Sequence, residues 1–137
     1  MAKKNIATFL APNQGLSIAG DRVYAYSGQY QISTSAQTIL LFATGNELID
    51  AFIQVSGPLK FDDPSSGEKS NYQLSFNGVV VYLLGQRAAN SGYTNPLSDS
   101  VRIIIPPRTT VKLEVDSSAA TAGIYNSAII AGKIVDK

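Results

Sequence analysis

The sequence predicts an all-β chain, a single eight-stranded antiparallel jelly-roll sandwich with an irregular N-terminal arm. Three observations carry this expectation. Helical periodicity is nearly absent, while short runs alternating apolar and polar residues recur between Gly, Pro, Asn, Asp and Ser. One tight hairpin signal, Asn77-Gly78, falls between the fourth and fifth of these runs. A Pro106-Pro107 pair separates the sixth and seventh, in "VRIIIPPRTTVKLEV" (101–115).

Residues 1–20 read as a polar, Gly-containing arm and residues 21–137 as the sandwich domain. The first strand region is "DRVYAYSGQYQIS", in which Tyr24, Tyr26 and Tyr30 share one face and Gly28 offers a bulge site. "QTILLFA" (37–43) is apolar on both faces. In "ELIDAFIQV", Ile49, Ala51, Ile53 and Val55 form one face, and Asp50 and Gln54 lie on the other with Phe52 between them. A turn-rich loop spans residues 57–70. The fourth and fifth strands lie in "YQLSFNGVVVYLL", where a type I′ turn at Asn77-Gly78 pairs Phe76 with Val79, Leu74 with Val81 and Tyr72 with Leu83. That register puts all six on one face, with Gln73 and Ser75 on the other. After a long loop (85–100), Val101, Ile103 and Ile105 share a face, as do Val111, Leu113 and Val115. "IYNSAIIAGKIVD" closes the chain as one long strand, with Gly132 at a bend or bulge.

Strand order distinguishes the possible architectures. In a jelly roll whose strands are lettered B to I, the sheets run B-I-D-G and C-H-E-F, and E–F is the one consecutive pair of neighbours. A single tight hairpin between strands four and five matches that pattern. An up-and-down barrel should show short hairpins between most neighbours. The prolines then gain a role: neither can donate a ladder hydrogen bond, so pairing stops and the chain changes sheets. An ordinary hairpin with a proline-containing turn is the plainer alternative.

Composition narrows the chemistry. The chain has no cysteine and no histidine, so no disulfide, thiolate site, Ser-His-Asp triad or Cys-His pair can be built. The usual general base near neutral pH and the commonest transition-metal ligands are missing too. Net charge is +1 and only 15% of residues are charged. Lys3 and Lys4 on the arm, with Arg87, Arg102 and Arg108 scattered singly, make no basic patch, so neither nucleic acid nor membrane is expected as a partner. The apolar stretch at residues 6–11 is too short for a signal-peptide core and reads as part of a flexible arm. A thinly charged surface with 45% hydrophobic residues suits a chain that buries its outside against partners.

The order "SFNGVVVY", a long loop containing "NPL", "RIIIPPRTTVKLEVDS" and a closing "AIIAGKIVD" resembles the small jelly-roll head proteins of tailed bacteriophages. The likeness covers roughly residues 37–136 and rests on strand and turn patterns. It implies a decoration or cement protein, commonly a trimer, on the outer surface of the capsid. The expected partners are the major capsid protein and further copies of the chain. The expected location is the virion's capsid surface after synthesis in the host cytoplasm. The expected contacts with capsid or neighbouring subunit are Lys3, Lys4, Ile6, Phe9 and Leu10 in the arm and Arg108 at the proline corner.

Other chemistry is weaker. "FDDPSSGE" gathers Asp62, Asp63, Ser65, Ser66 and Glu68, a possible calcium loop, but it matches no EF-hand spacing and a solvated acidic loop explains it as well. Asp62 and Asp63 are adjacent and point apart, a poor carboxylate pair for hydrolysis. Tyr72, Tyr82, Tyr93 and the Tyr24/Tyr26/Tyr30 stripe could form the sugar-stacking platform of a lectin-like, carbohydrate-binding module, or serve as core and interface residues. No catalytic residue, metal site or cofactor is expected. "RIIIPP" and "SFNGVVVYLL" are uncharged, β-prone windows that would aggregate as open edges, which favours an assembled state.

Overall fold

A computed structural model describes residues 7–9, 16–60, 68–87 and 100–135. In chain order the strands are β1 (Ala7–Phe9), β2 (Ser17–Ala19), β3 (Arg22–Tyr26), β4 (Tyr30–Gln31), β5 (Gln37–Thr44), β6 (Leu48–Val55) and β7 (Leu59–Lys60), followed by β8 (Lys69–Phe76), β9 (Val79–Arg87), β10 (Val101–Ile105), β11 (Thr110–Ser117), β12 (Ile124–Asn126) and β13 (Ala128–Val135). One sheet has the order β1-β5-β11-β8-β9, the facing one β10-β6-β13-β3-β2, and a small sheet has the order β4-β12-β7. Lettering the eight principal strands B to I gives C-H-E-F and G-D-I-B, the jelly-roll order expected. Within residues 1–20, β1 and β2 each add an edge strand, to β5 and to β3 respectively.

The core lies between the two large sheets, where alternate residues turn inward. Ile49, Ala51, Ile53 and Val55 of β6 are fully buried, and Val111, Leu113 and Val115 of β11 face them from the other sheet with Phe42 and Leu74. In β5 the adjacent Ile39 and Leu40 are both buried because a bulge opposite Leu113 and Glu114 inserts Ile39 as an extra residue.

The proline corner moves the chain between sheets. β10 pairs with β6, and β11 pairs with β5 and β8. Pairing ends at Ile105, and the corner is tied to the β5–β6 connection. The Thr44 hydroxyl donates to the Pro106 carbonyl (2.8 Å) and accepts from the Thr109 N–H (2.9 Å), while the Arg108 N–H donates to the Gly45 carbonyl (2.7 Å). The Asn77 side chain accepts the Thr110 N–H at 2.8 Å, so all three connections at this end are joined. These bonds replace the ladder partners that two prolines remove.

The structure corrects five expectations. The turn at Asn77-Gly78 forms, with φ of 51° and 81°, and Phe76 pairs with Val79. Val81 is then an extra, bulged residue, so Leu74 faces Tyr82 and Tyr72 faces Leu84. A one-residue slip reverses the faces, so Leu84 enters the core while Val79, Val81 and Leu83 stay exposed and Ser75 is buried. Tyr30 leaves the Tyr24/Tyr26 face: it lies in β4, packed partly against the core. Gly28 has φ of 72° where the chain leaves β3, which makes it a strand end rather than a bulge. The closing segment is two strands, because Ser127 exchanges bonds with Ser56 and the buried Asn126 side chain is held by Ser70 (2.6 Å) and Ser117 (2.9 Å), drawing β12 into the small sheet. Gly132 is neither bend nor bulge. It stays in register between Val23 and Ala51, where a Cβ would run into the Asp50 carbonyl oxygen.

Candidate binding surfaces

Among the described residues, two regions expose clusters of large apolar side chains. The first is the outer face of the β10-β6-β13-β3-β2 sheet. Cross-strand register aligns Arg102, Phe52, Ala131, Tyr24 and Ser17 in one row, with Gln54, Ile129 and Tyr26 in the next. Phe52 is 52% exposed and Tyr26 58%, and Ile129 and Ile104 are also open to solvent. The rings of Tyr24 and Tyr26 lie 5.1 Å apart, tilted by 34°. Alternation explains the placement, since each of these residues sits between inward-facing neighbours.

Phe52 stands between two shallow depressions of about 540 and 360 Å³. Arg22, Lys133 and an Arg102–Asp50 pair border the larger one, over a floor of Ala131 and Gly132. The guanidinium grips the carboxylate with two bonds, Nε to Oδ1 at 2.9 Å and Nη2 to Oδ2 at 2.8 Å. The Arg102 hydrogen bond holds Asp50 below the ordinary carboxylate range against an opposing desolvation effect, and the charges of Arg102 and Lys133 act in the same direction as that bond. Arg102 is held correspondingly above its usual value by the same partner. The pair thus stays charged, giving an apolar and aromatic centre with a fixed ionic border.

The second region is β9, the edge strand beside β8. Val79 (65%), Val80, Val81, Tyr82 and Leu83 (68%) are five consecutive exposed apolar residues. Consecutive strand residues point to opposite faces, so both faces of this strand are open.

The contact residues expected from sequence are dispersed. Lys3, Lys4, Ile6 and Leu10 lie outside the described residues. Phe9 lies in β1, opposite Phe42. Arg108 has φ of 54° at the proline corner, and its Nε donates to the Asn46 side chain at 3.1 Å, so this exposed side chain turns back onto its own chain. The tyrosines do not converge. Tyr24 and Tyr26 share the sheet face, Tyr82 is on β9, and Tyr93 lies outside the described residues. Tyr72 is buried with its hydroxyl donating to the Ser56 carbonyl (2.7 Å), and burial pushes that hydroxyl's pKa upward. Of the acidic loop, Asp62, Asp63, Ser65 and Ser66 fall outside the described residues. Sequence reasoning missed Ile129; it singled out the window that contains the exposed run on β9 but set Val79, Val81 and Leu83 on the inner face. Phe52 was already conspicuous as an aromatic on an otherwise polar face.

No protein-family model matches the chain, and no curated protein matches it. Among solved structures it is similar to the VP2 subviral particle of infectious bursal disease virus, at 16% identity and a TM-score of 0.48. It is also similar to the T13 viral particle of IBDV, at 13% identity and a TM-score of 0.44. Each alignment covers 93% of this chain, which spans about a third of the length of the two viral chains (36% and 35%).

Proposed function

We propose that this chain is a virion structural protein, a decoration or cement protein that binds the outer surface of a phage head, oligomerises there and stabilises the shell without chemistry. One observation carries the reading: a jelly roll with, among the described residues, two separate exposed apolar surfaces, the Phe52 face and the β9 edge. A protein joining a capsid to a neighbouring copy needs two such surfaces, whereas a free monomer rarely exposes contiguous patches of this kind. The sequence resemblance to phage head proteins supports the same role. The arm would add contacts to the major capsid protein through Lys3, Lys4, Ile6, Phe9 and Leu10.

Co-sedimentation with heads lacking this protein tests the reading. The full chain should bind. A form beginning at Leu16 and a Phe52→Ser/Tyr26→Ser form should each bind roughly tenfold or more weakly, as expected when aromatic anchors or an ordering arm are lost. Leu16 is kept because it is buried in the core. Undiminished binding by both altered forms would overturn the proposal.

The aromatic group of Tyr24, Tyr26 and Phe52 beside an ionic border also favours a second reading, a carbohydrate-binding module. A glycan array probed with the full chain and with Phe52→Ser separates the two, since sugar binding would follow Phe52 in the absence of any capsid.

A further inference from the structure

We infer that β9 is a self-pairing edge: two copies join antiparallel through their β9 strands across a two-fold axis near Val81, merging two sheets into one. The inference rests on the assembly reading above and names the partner of one of its two surfaces, a second copy of this chain.

Residues 77–86 contain no charge and no proline. Natural edges are blunted by charged side chains, prolines, short strands or bulges, and over its nine residues β9 carries the Val81 bulge and a single charge, Arg87, at its very end. The other outer strands differ. β1 and β2 are three residues long, and β10 carries Arg102 tied to Asp50. β9 alone among the described edges is both long and uncharged along its exposed run.

A strand edge is best satisfied by another strand edge, because every second backbone N–H and C=O of β9 points away from β8. Self-pairing also matches the side chains. With the axis at Val81, Val79 meets Leu83 of the second copy, Val80 meets its Tyr82, and Val81 meets its own counterpart. Sliding the strands by a few residues sets Asn77, Gly78, Gly85 or Gln86 against the apolar run. The five residues expose roughly 500 Å² per copy, so a symmetric pair buries at most about 1,000 Å², below the standard size of stable interfaces. Such a contact is weak in dilute solution and is favoured where copies crowd together, as on a capsid surface.

Because the chain has no cysteine, single-cysteine forms read the axis directly. Paired strands bring Cα atoms to about 4.5–5.5 Å, within disulfide range, only for the residue on the axis; a residue two positions away lies roughly 13 Å from its own counterpart. Cysteine is placed in turn at Val79, Val80, Val81, Tyr82 and Leu83, with Phe52→Cys as a control on the other sheet, and the protein is oxidised at high micromolar concentration. We expect disulfide dimers to peak at Val81→Cys by fivefold or more over Val79→Cys and Leu83→Cys, and Val81→Lys to abolish concentration-dependent dimers in light scattering while leaving thermal unfolding unchanged. A flat profile, or a maximum at Phe52→Cys, overturns the inference. A flat profile with normal binding to heads refutes the pairing and leaves the decoration role standing. A peak at Val81→Cys without binding to heads upholds the pairing and refutes that role.

Discussion

Replacing Gly132 by alanine should destabilise the fold, opposite to the usual effect of removing a glycine from a strand. Gly132 lies inward in β13, in register with Ala51 of β6 and Val23 of β3. An added Cβ would collide with the Asp50 carbonyl oxygen and stand 2.5 Å from the Ala51 Cα and 2.7 Å from its Cβ. These obstacles are backbone and a fully buried methyl, so no side-chain rotation relieves them and the two central strands must move apart. Overpacking costs typically 1–3 kcal/mol, and a backbone obstacle belongs at about 3. Loss of chain entropy in the unfolded state returns about 0.4–1 kcal/mol, leaving a net loss of about 2 kcal/mol. For a domain of this size that lowers Tm by about 8 °C. Gly85→Ala is the matched control, because its new Cβ would meet only Asn71 Oδ1 at an ordinary 3.6 Å, and it should be neutral or slightly stabilising. Thermal and urea unfolding by circular dichroism measure both. Gly132→Ala at wild-type stability or above would refute the close approach of β13 to β6.

Two further predictions concern the hairpin and the ion pair. Leu84→Ala should cost about 2–4 kcal/mol in urea unfolding and Leu83→Ala less than about 0.5, because the Val81 bulge turns Leu84 inward and leaves Leu83 in solvent; the reverse order would restore the unbulged register. In Arg102→Gln the Asp50 carboxyl should titrate closer to its ordinary 3.8, followed by carboxyl NMR. Its pKa in the native protein lies below the unfolded one, so its contribution to stability is present above about pH 4 and is lost as pH falls through the native pKa. The Arg102→Gln form should therefore show a weaker acid-side decline.

The topology was legible because its determinants are local. A type I′ turn needs two residues with positive φ, which Asn77-Gly78 supplies, and two prolines cannot donate to a ladder. One hairpin and one break, placed in a series of eight alternating runs, were enough to select both sheet orders. The inner faces of β6 and β11 followed from the two-residue strand period alone.

What the sequence could not determine depended on partners distant in the chain. The bulge at Val81 shifts the β8–β9 register by one residue, and that single insertion carried Leu84 into the core and left Val79, Val81 and Leu83 on the surface. Gly132 resembled a bend until the β6 backbone was seen to occupy the space of its missing Cβ. The break at Ser127 arises from Ser56, Ser70 and Ser117, which bond Asn126 and Ser127 from 9 to 71 positions away. The candidate surfaces belong to this second group. Sequence alternation marked Phe52 as facing outward and the expected strand order already put β9 at an edge, but only the tertiary structure set Phe52 beside Ile129, Tyr24 and Tyr26 and turned Val79, Val81 and Leu83 outward, because exposure depends on which strands pack over a residue and alternation specifies only which side it faces.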